Sequence, residues 1–365
     1  MGASVMPTAK QKILVVRNDK IGDFMLAWPA LKLLRHQLPE AEIHVLVPTY
    51  THPLAQACPW VDQSILDPGP KAHKKQQKAL IANLKSQGYD AALTLFSTWR
   101  TGRLLARAKV PLRVAPATKL AQLWYTHTLK QRRSRSEKPE WRYNLELAHF
   151  MLEAMGELVL PVNPPFWPLS REQRTQQKDW LQRQYALPKA RPWFFLHTGS
   201  GGSAVNLDAY QYLELATALS QRLQGQPWWI LTAGPDEEAQ ALWLQDQLLE
   251  RDIEASVYPS KHGLSSFALS LSAADLFISG STGLLHIAGA LDVPTVGFYP
   301  GHKSATSLRW QTCNSERRTW AISPPEGGDT SDMHRIRPQD AALEITRYWE
   351  ALAAAMPKDW HTSQK

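Results

Sequence analysis

The sequence predicts an α/β protein made of two arrays of parallel strands and helices joined by a proline-rich segment. Three observations predict it. Ile13-Leu14-Val15-Val16 is a short, wholly apolar run, the pattern of a strand buried on both faces of a parallel sheet. Segments of helical and strand character then alternate, and after residue 190 the alternation restarts. Between the two arrays lies Pro161-Val162-Asn163-Pro164-Pro165-Phe166-Trp167-Pro168, whose four prolines suit neither a helix nor a central strand. A chain of 365 residues is long enough for two domains. The expected boundaries are 1–160 for the first domain, 161–168 for the linker, 169–340 for the second domain, and 341–365 for a final helix and tail.

Taken in order, residues 13–16 form the first strand and Arg17 to Gly22 a polar turn. Ala27, Ala30, Leu31, Leu34 and Leu38 then recur at helical spacing. Pro29 either interrupts this helix or opens its main body at the first turn. Residues 43–47 supply the next strand and complete a strand–helix–strand unit. Strands follow at 91–96 and 112–114, separated by helical segments, with a helix at 145–155. Past the prolines the strands are 193–197, 228–232, 255–258, 276–279 and 295–299. Helices alternate with them at 208–223, 236–249, 265–273 and 282–291. A last helix, 340–355, is expected to pack back on the first domain. No internal repeat of fixed period is evident.

Composition narrows the function classes. Hydrophobic residues at 44% and charged residues at 20% describe a chain that folds rather than a disordered one. No run of 18 apolar residues occurs, which excludes a transmembrane helix. The first twelve residues lack the apolar stretch of a signal peptide. Met1-Gly2 opens like a myristoylation signal, but Met6 stands where Ser or Thr is required. Two distant cysteines, Cys58 and Cys313, exclude a disulfide scaffold and a Cys-rich metal site and fit a reducing cytoplasm. The net charge of +8 divides unevenly: residues 1–99 carry +4, residues 100–142 carry +10 and residues 143–365 carry −6. The peak is Lys130-Gln131-Arg132-Arg133-Ser134-Arg135. Such asymmetry suggests an anionic partner (nucleic acid, a membrane surface or a phosphorylated substrate) or else a solvated loop.

Four constellations carry chemistry. Arg17-Asn18-Asp19-Lys20-Ile21-Gly22-Asp23 joins the first strand to its helix, a preferred ligand position in an open α/β sheet. Asp23 there is either a helix N-cap or a carboxylate general base. A helix start lowers the basicity of such a carboxylate, which is tolerable if the substrate hydroxyl loses its proton late. His197-Thr198-Gly199-Ser200-Gly201-Gly202-Ser203 is a glycine-rich loop after a strand, able to cradle phosphate through backbone N–H groups or to serve as a plain connection. Gly234-Pro235-Asp236-Glu237-Glu238 opens a helix with three carboxylates; if it touches a nucleotide, it should face ribose or base. Ser281-Thr282-Gly283-Leu284-Leu285-His286 follows a strand and opens a small-residue helix. Ser281 is expected to cap that helix, the N–H groups of Thr282, Gly283 and Leu284 to face an anion, and His286 to donate to it. No G-x-G-x-x-G, P-loop or Asp-x-Asp motif is present.

Together and in this order these residues resemble glycosyltransferase family 9, the bacterial lipopolysaccharide heptosyltransferases. The resemblance spans most of the chain, including Pro29-Ala30-Leu31, Thr51-His52-Pro53-Leu54 and Trp60-Val61-Asp62. It implies a GT-B fold, two Rossmann-like domains with a cleft between them, the first binding acceptor and the second a nucleotide sugar. It implies inverting, metal-independent and cofactor-free transfer of heptose from ADP-heptose to the inner core on lipid A. Asp23 is then the base. Donor-binding residues are Thr198, Gly199, Ser200, Gly201, Gly234, Glu237, Ser281, Thr282, Gly283, His286 and Lys303. Arg17, Lys20, Arg100 and Arg103 are expected at the acceptor. Members often carry a Lys just after the glycine-rich loop; here the residues are Ala204-Val205-Asn206, and Lys303 or Lys261 is the expected substitute.

The expected location is cytoplasmic, peripheral at the inner face of the membrane, with residues 130–135 as a patch for anionic lipid. The alternatives are a glycosyltransferase using another nucleotide sugar or acceptor glycan, a basic nucleic-acid-binding protein, and a nucleotide-dependent oxidoreductase. Nucleic acid is not an expected partner, because no recognition motif for it is visible. Missing G-x-G-x-x-G weighs against the oxidoreductase.

Overall fold

The structure, a computed structural model, describes residues 10–188, 190–199, 205–234, 236–302 and 305–355. They separate into two compact units. One comprises residues up to Arg132 with Trp141–Val162; the other comprises Arg133–Glu140 and the chain from Asn163 on.

The first unit is one six-stranded sheet: β1 (Lys12–Val16), β2 (Glu42–Val47), β3 (Gln63–Leu66), β4 (Ala91–Thr94), β5 (Leu112–Pro116) and β6 (His127–Leu129). Their order is β3-β2-β1-β4-β5-β6, and every pairing is parallel. β1 lies between β2 and β4, with Ile13 facing Ile43 on one side and Ala91 on the other. That central place is why its residues are apolar without alternation. The helices are α1 (Ile21–Met25), α2 (Trp28–Gln37), α3 (His52–Gln56), α4 (Lys74–Gln87), α5 (Trp99–Arg107) and α6 (Glu140–Ala154). Pro29 opens α2 instead of interrupting it, in the first turn where a missing N–H costs nothing. β4 stops at Thr94, two residues before the expected end, and Phe96 beyond it is half exposed. β3 and β6 escape a periodicity reading, because one is a four-residue edge of mixed polarity and the other has three residues.

The second unit repeats the plan with β7 (Trp193–His197), β8 (Trp228–Thr232), β9 (Ala255–Tyr258), β10 (Leu276–Gly280), β11 (Thr295–Phe298) and β12 (Thr319–Ile322). The order is β12-β11-β10-β7-β8-β9, again all parallel. Counted from its own first strand, each sheet runs 3-2-1-4-5-6, the Rossmann order. The helices are α7 (Arg171–Tyr185), α8 (Ala209–Arg222), α9 (Glu238–Leu249), α10 (Gly263–Leu271), α11 (Gly283–Ala290) and α12 (Pro338–Ala355). α12 does not join the first unit as expected. It packs on α8, and its Ile345, Tyr348 and Leu352 share a core with Phe194, Leu219 and Trp229. Its apolar stripe fits the second sheet because Trp349 also meets Phe194 edge to face at 4.9 Å. The proline-rich stretch is irregular, and the N–H groups of Phe166 and Trp167 both donate to the carbonyl of Ala290 at 3.1 and 2.7 Å. They satisfy a carbonyl that the end of α11 leaves open.

Candidate active site

In a parallel sheet all strands end at one edge, and the loops there are where ligands bind. In the first unit the turn after β1 stands at that edge. Arg17 is 2% exposed and spreads its guanidinium over four acceptors. Its Nε donates to Asp19 Oδ1 at 2.8 Å, one Nη donates to Asp23 Oδ1, and the other reaches the Leu95 carbonyl and Asn144 Oδ1 at 3.4 Å. Asn144, buried on α6, donates in turn to the Leu26 carbonyl at 2.9 Å. One buried cation therefore holds two carboxylates, and α6 holds the cation.

Asp23 is the third residue of α1, whose N-cap position is Lys20, so Asp23 is no N-cap. Its side chain keeps partial access to solvent. Asp19 is the residue that the sequence reading passed over. Burial pushes its carboxyl up to about 6; Arg17 opposes that shift and the negative Asp23 adds to it. The signal was a second carboxylate four residues before Asp23. Tyr50 fixes the turn by donating its hydroxyl to the Asp19 carbonyl at 2.5 Å.

The four cations expected at the acceptor divide. Arg17 spends its charge on Asp19 and Asp23. Arg100 grips Asp67 with two nitrogens at 2.8 and 2.5 Å and also reaches Gln77. Asp67 further accepts from Asn18 at 2.5 Å. Burial raises the Asp67 pKa, yet the hydrogen bonds from Arg100, Asn18 and the Gly69 N–H bring it below the ordinary value. Lys20 and Arg103 are exposed. The basic run at 130–135 is likewise partly consumed. Arg133 pairs with buried Glu140 at 2.6 Å, Arg309 pairs with the same carboxylate, and Gln131 is buried against the Tyr143 carbonyl. Arg135 pairs with Glu137 at 3.6 Å. The run is thus no single free patch.

In the second unit three strand ends carry the expected donor residues. His197 ends β7 and is buried; its Nδ1 lies 3.1 Å from the Thr232 carbonyl, so that nitrogen carries the proton and donates. Burial lowers the His197 pKa, while Glu237 and the Thr232 carbonyl pull it back up. Its Nε2 stands 4.0 Å from Glu237 Oε2. That carboxylate accepts from the Gly234 N–H at 2.9 Å and sits where a side chain at Gly199 would be. A Cβ on Gly234 would stand 2.9 Å from the same oxygen. Gly199, Gly234 and Glu237 are thereby brought together, and the glycines are needed for fit.

Asn206 is the other residue missed. Its Nδ2 donates to the Thr198 and Gly199 carbonyls at 3.0 and 3.3 Å. Its Oδ1 accepts from the Leu207 N–H and from the Tyr212 hydroxyl at 2.9 and 2.6 Å. It also fills the space beside Gly280, so β10 carries glycine there.

At the end of β10 two expectations change. Ser281 does not cap α11: the N-cap is Thr282, with no side-chain cap, and its hydroxyl turns back to Ser279 at 3.2 Å. The N–H groups of Ser281 and Thr282 donate to the Phe298 and Gly280 carbonyls at 3.1 and 2.7 Å. Those of Gly283 and Leu284, in the first turn of the helix, have no partner within it. His286 is 3% exposed with its Nδ1 unpartnered, and burial lowers its pKa to about 4. It is therefore uncharged at neutral pH. Ser200, Gly201 and Lys303 lie outside the described residues, and Lys261 is exposed on the turn Ser260–His262 after β9. Among the described residues no group of three His, Cys, Asp or Glu is placed to hold a metal ion.

The first unit thus holds a carboxylate pair at a strand end, and the second a helix start with open N–H groups. Comparison with known proteins gives the class. Residues 77–318 match glycosyltransferase family 9 (heptosyltransferase). A Haemophilus influenzae protein named "Putative glycosyltransferase" is 39% identical over 93% of this chain and 96% of its own length. Lipopolysaccharide heptosyltransferase 2 of Salmonella typhimurium is 24% identical, covering 79% of this chain and 82% of its own. Among solved structures, Escherichia coli ADP-heptose lps heptosyltransferase II superposes with a TM-score of 0.73 at 19% identity, over 94% of this chain and all of that one. A family 9 glycosyltransferase from Veillonella parvula gives 0.76 at 15% identity, over 95% and 99%. The fold is GT-B, two Rossmann-like units in one chain, and the protein is a glycosyltransferase that belongs to family 9.

Proposed function

We propose that this enzyme moves heptose from ADP-heptose to the inner core of lipopolysaccharide on lipid A, with inversion and without metal or cofactor. The observation that carries the reading is the carboxylate pair at the end of β1, oriented by one buried arginine. Asp23, held by Arg17 and still partly open to solvent, takes the proton of the acceptor hydroxyl. The hydroxyl oxygen forms a bond to the anomeric carbon, the bond from that carbon to the diphosphate oxygen breaks, and the electron pair leaves on ADP. The proton moves late, once bond formation has acidified the hydroxyl. The N–H groups of Gly283 and Leu284 and the neutral His286 stabilise the leaving charge. Glu237 accepts hydrogen bonds from the ribose hydroxyls.

The two lipopolysaccharide heptosyltransferases among the relatives support the sugar and the acceptor. One observation favours a different nucleotide sugar. Val205, exposed, stands where family members place a phosphate-binding Lys. Calorimetry with ADP-heptose and with UDP- and GDP-sugars decides between them: ADP-heptose should bind most tightly, and tighter binding of another nucleotide sugar would replace it. The proposed place of action is the cytoplasm, at the inner face of the membrane, to which the +10 of residues 100–142 would be drawn.

A further inference from the structure

Residues Lys119–Trp124 form a 3-10 turn after β5 with no buried residue. In such a turn side chains three apart lie above one another. Leu120 and Leu123 are three apart and 70% and 72% exposed, so they make one apolar ridge facing solvent. The ridge is held firmly. The Trp124 ring meets Trp99 edge to face at 5.1 Å, and a Cβ on Gly102 of α5 would collide with Trp124 and Tyr125. The Trp124 carbonyl accepts from Arg113 Nε at 2.8 Å. Trp99 and Phe96 beside it are each about half exposed. Exposed leucines on a turn fixed by an aromatic pair mark an interaction surface.

Charge selects the partner. Trp99, Arg103 and Arg107 are four residues apart and form one exposed stripe of α5. Lys119, Lys109 and Lys130 are exposed as well. Between residues 91 and 136 the chain has ten Lys and Arg and no Asp or Glu. An apolar ridge on a stretch rich in cations and without a carboxylate of its own suits a lipid surface, the leucines entering the acyl boundary and the cations meeting headgroups. We infer that the turn 119–124 and the exposed stripe of α5 dock this protein on a bilayer of anionic phospholipid. The inference rests on the proposed function in one respect: a lipid-linked acceptor would be presented from that surface. Thr118, just before the turn, meets Ser97 after β4, so the turn begins at the sheet edge where the strand ends lie, as does Asp23 after β1.

The test is sedimentation of the full chain with vesicles of phosphatidylethanolamine and phosphatidylglycerol, against vesicles of phosphatidylcholine. The wild type should bind the anionic vesicles and be released by roughly 0.5 M salt. L120S/L123S should lose about tenfold in partition with unchanged melting temperature and ADP-heptose affinity. K119Q/R107Q should lose salt-sensitive binding, and L120W/L123W should bind more tightly. Wild-type sedimentation of L120S/L123S, or equal binding to both vesicle types, overturns the inference. So does a dimer that L120S/L123S dissociates without any vesicle binding. Vesicle binding without transfer from ADP-heptose sustains the inference and defeats the proposed function; transfer to a dispersed acceptor without vesicle binding does the reverse.

Discussion

Arg17 is the residue on which the first half of the site depends. Its buried charge compensates two carboxylates, so Arg17→Met should cost about 3 kcal/mol in urea unfolding, the penalty of breaking a buried pair. A variant as stable as wild type would show that the two carboxylates do not need it. Asp19 adds a pH dependence whose sign follows from its raised pKa. The folded protein keeps its proton to about pH 6, against an ordinary value of 3.8. Its contribution to stability is therefore complete below the ordinary value and is lost as pH rises through about 6. Asp19→Asn, which retains an acceptor for Arg17, should flatten the stability profile between roughly pH 4 and 6; an unchanged slope would contradict the assignment. Asp23 was legible from its place after a strand and a glycine. The role of Arg17 was not, because its brace Asn144 lies 127 residues away, and no local pattern encodes that contact. His286 was legible as a polar residue on a small-residue helix, but its burial was not, since burial on that helix face is a property of the packed unit.

At the scale of elements, the loop after β7 is shaped by what surrounds it. Asn206 ties the Thr198 and Gly199 carbonyls to Tyr212. Asn206→Ala should raise KM for the nucleotide sugar several-fold with a smaller change in kcat, read from steady-state kinetics. A fall in kcat alone would place Asn206 elsewhere in the mechanism. Gly280→Ala forces a methyl into Asn206 and should destabilise by about 1–3 kcal/mol. Most strands and helices were legible because parallel strands buried on both faces read as apolar runs. β3, β6 and β12 were not, being short edge or near-edge strands with exposed residues. α12 was legible as a helix, but its partner was not: an apolar stripe states that a face is buried and leaves open against which unit. Ile345→Ala at its contact with the second core should cost about 2–4 kcal/mol, measured by chemical unfolding.

At the scale of the molecule, two sheets of identical strand order carry different chemistry at their loop edges. The first offers carboxylates and a cation-rich surface, and the second offers backbone N–H groups and a neutral histidine. Within the basic peak of the sequence, Arg133 is held by buried Glu140 and Arg135 pairs with Glu137. The central claim is that Asp23 accepts the acceptor's proton in heptose transfer. Its most direct measurement is turnover of ADP-heptose on lipopolysaccharide lacking core heptose, comparing wild type with Asp23→Asn. The wild type should add one sugar per ADP released, and the variant, folded by circular dichroism, should be slower by about 10²–10⁴. Near wild-type turnover by Asp23→Asn would contradict the claim.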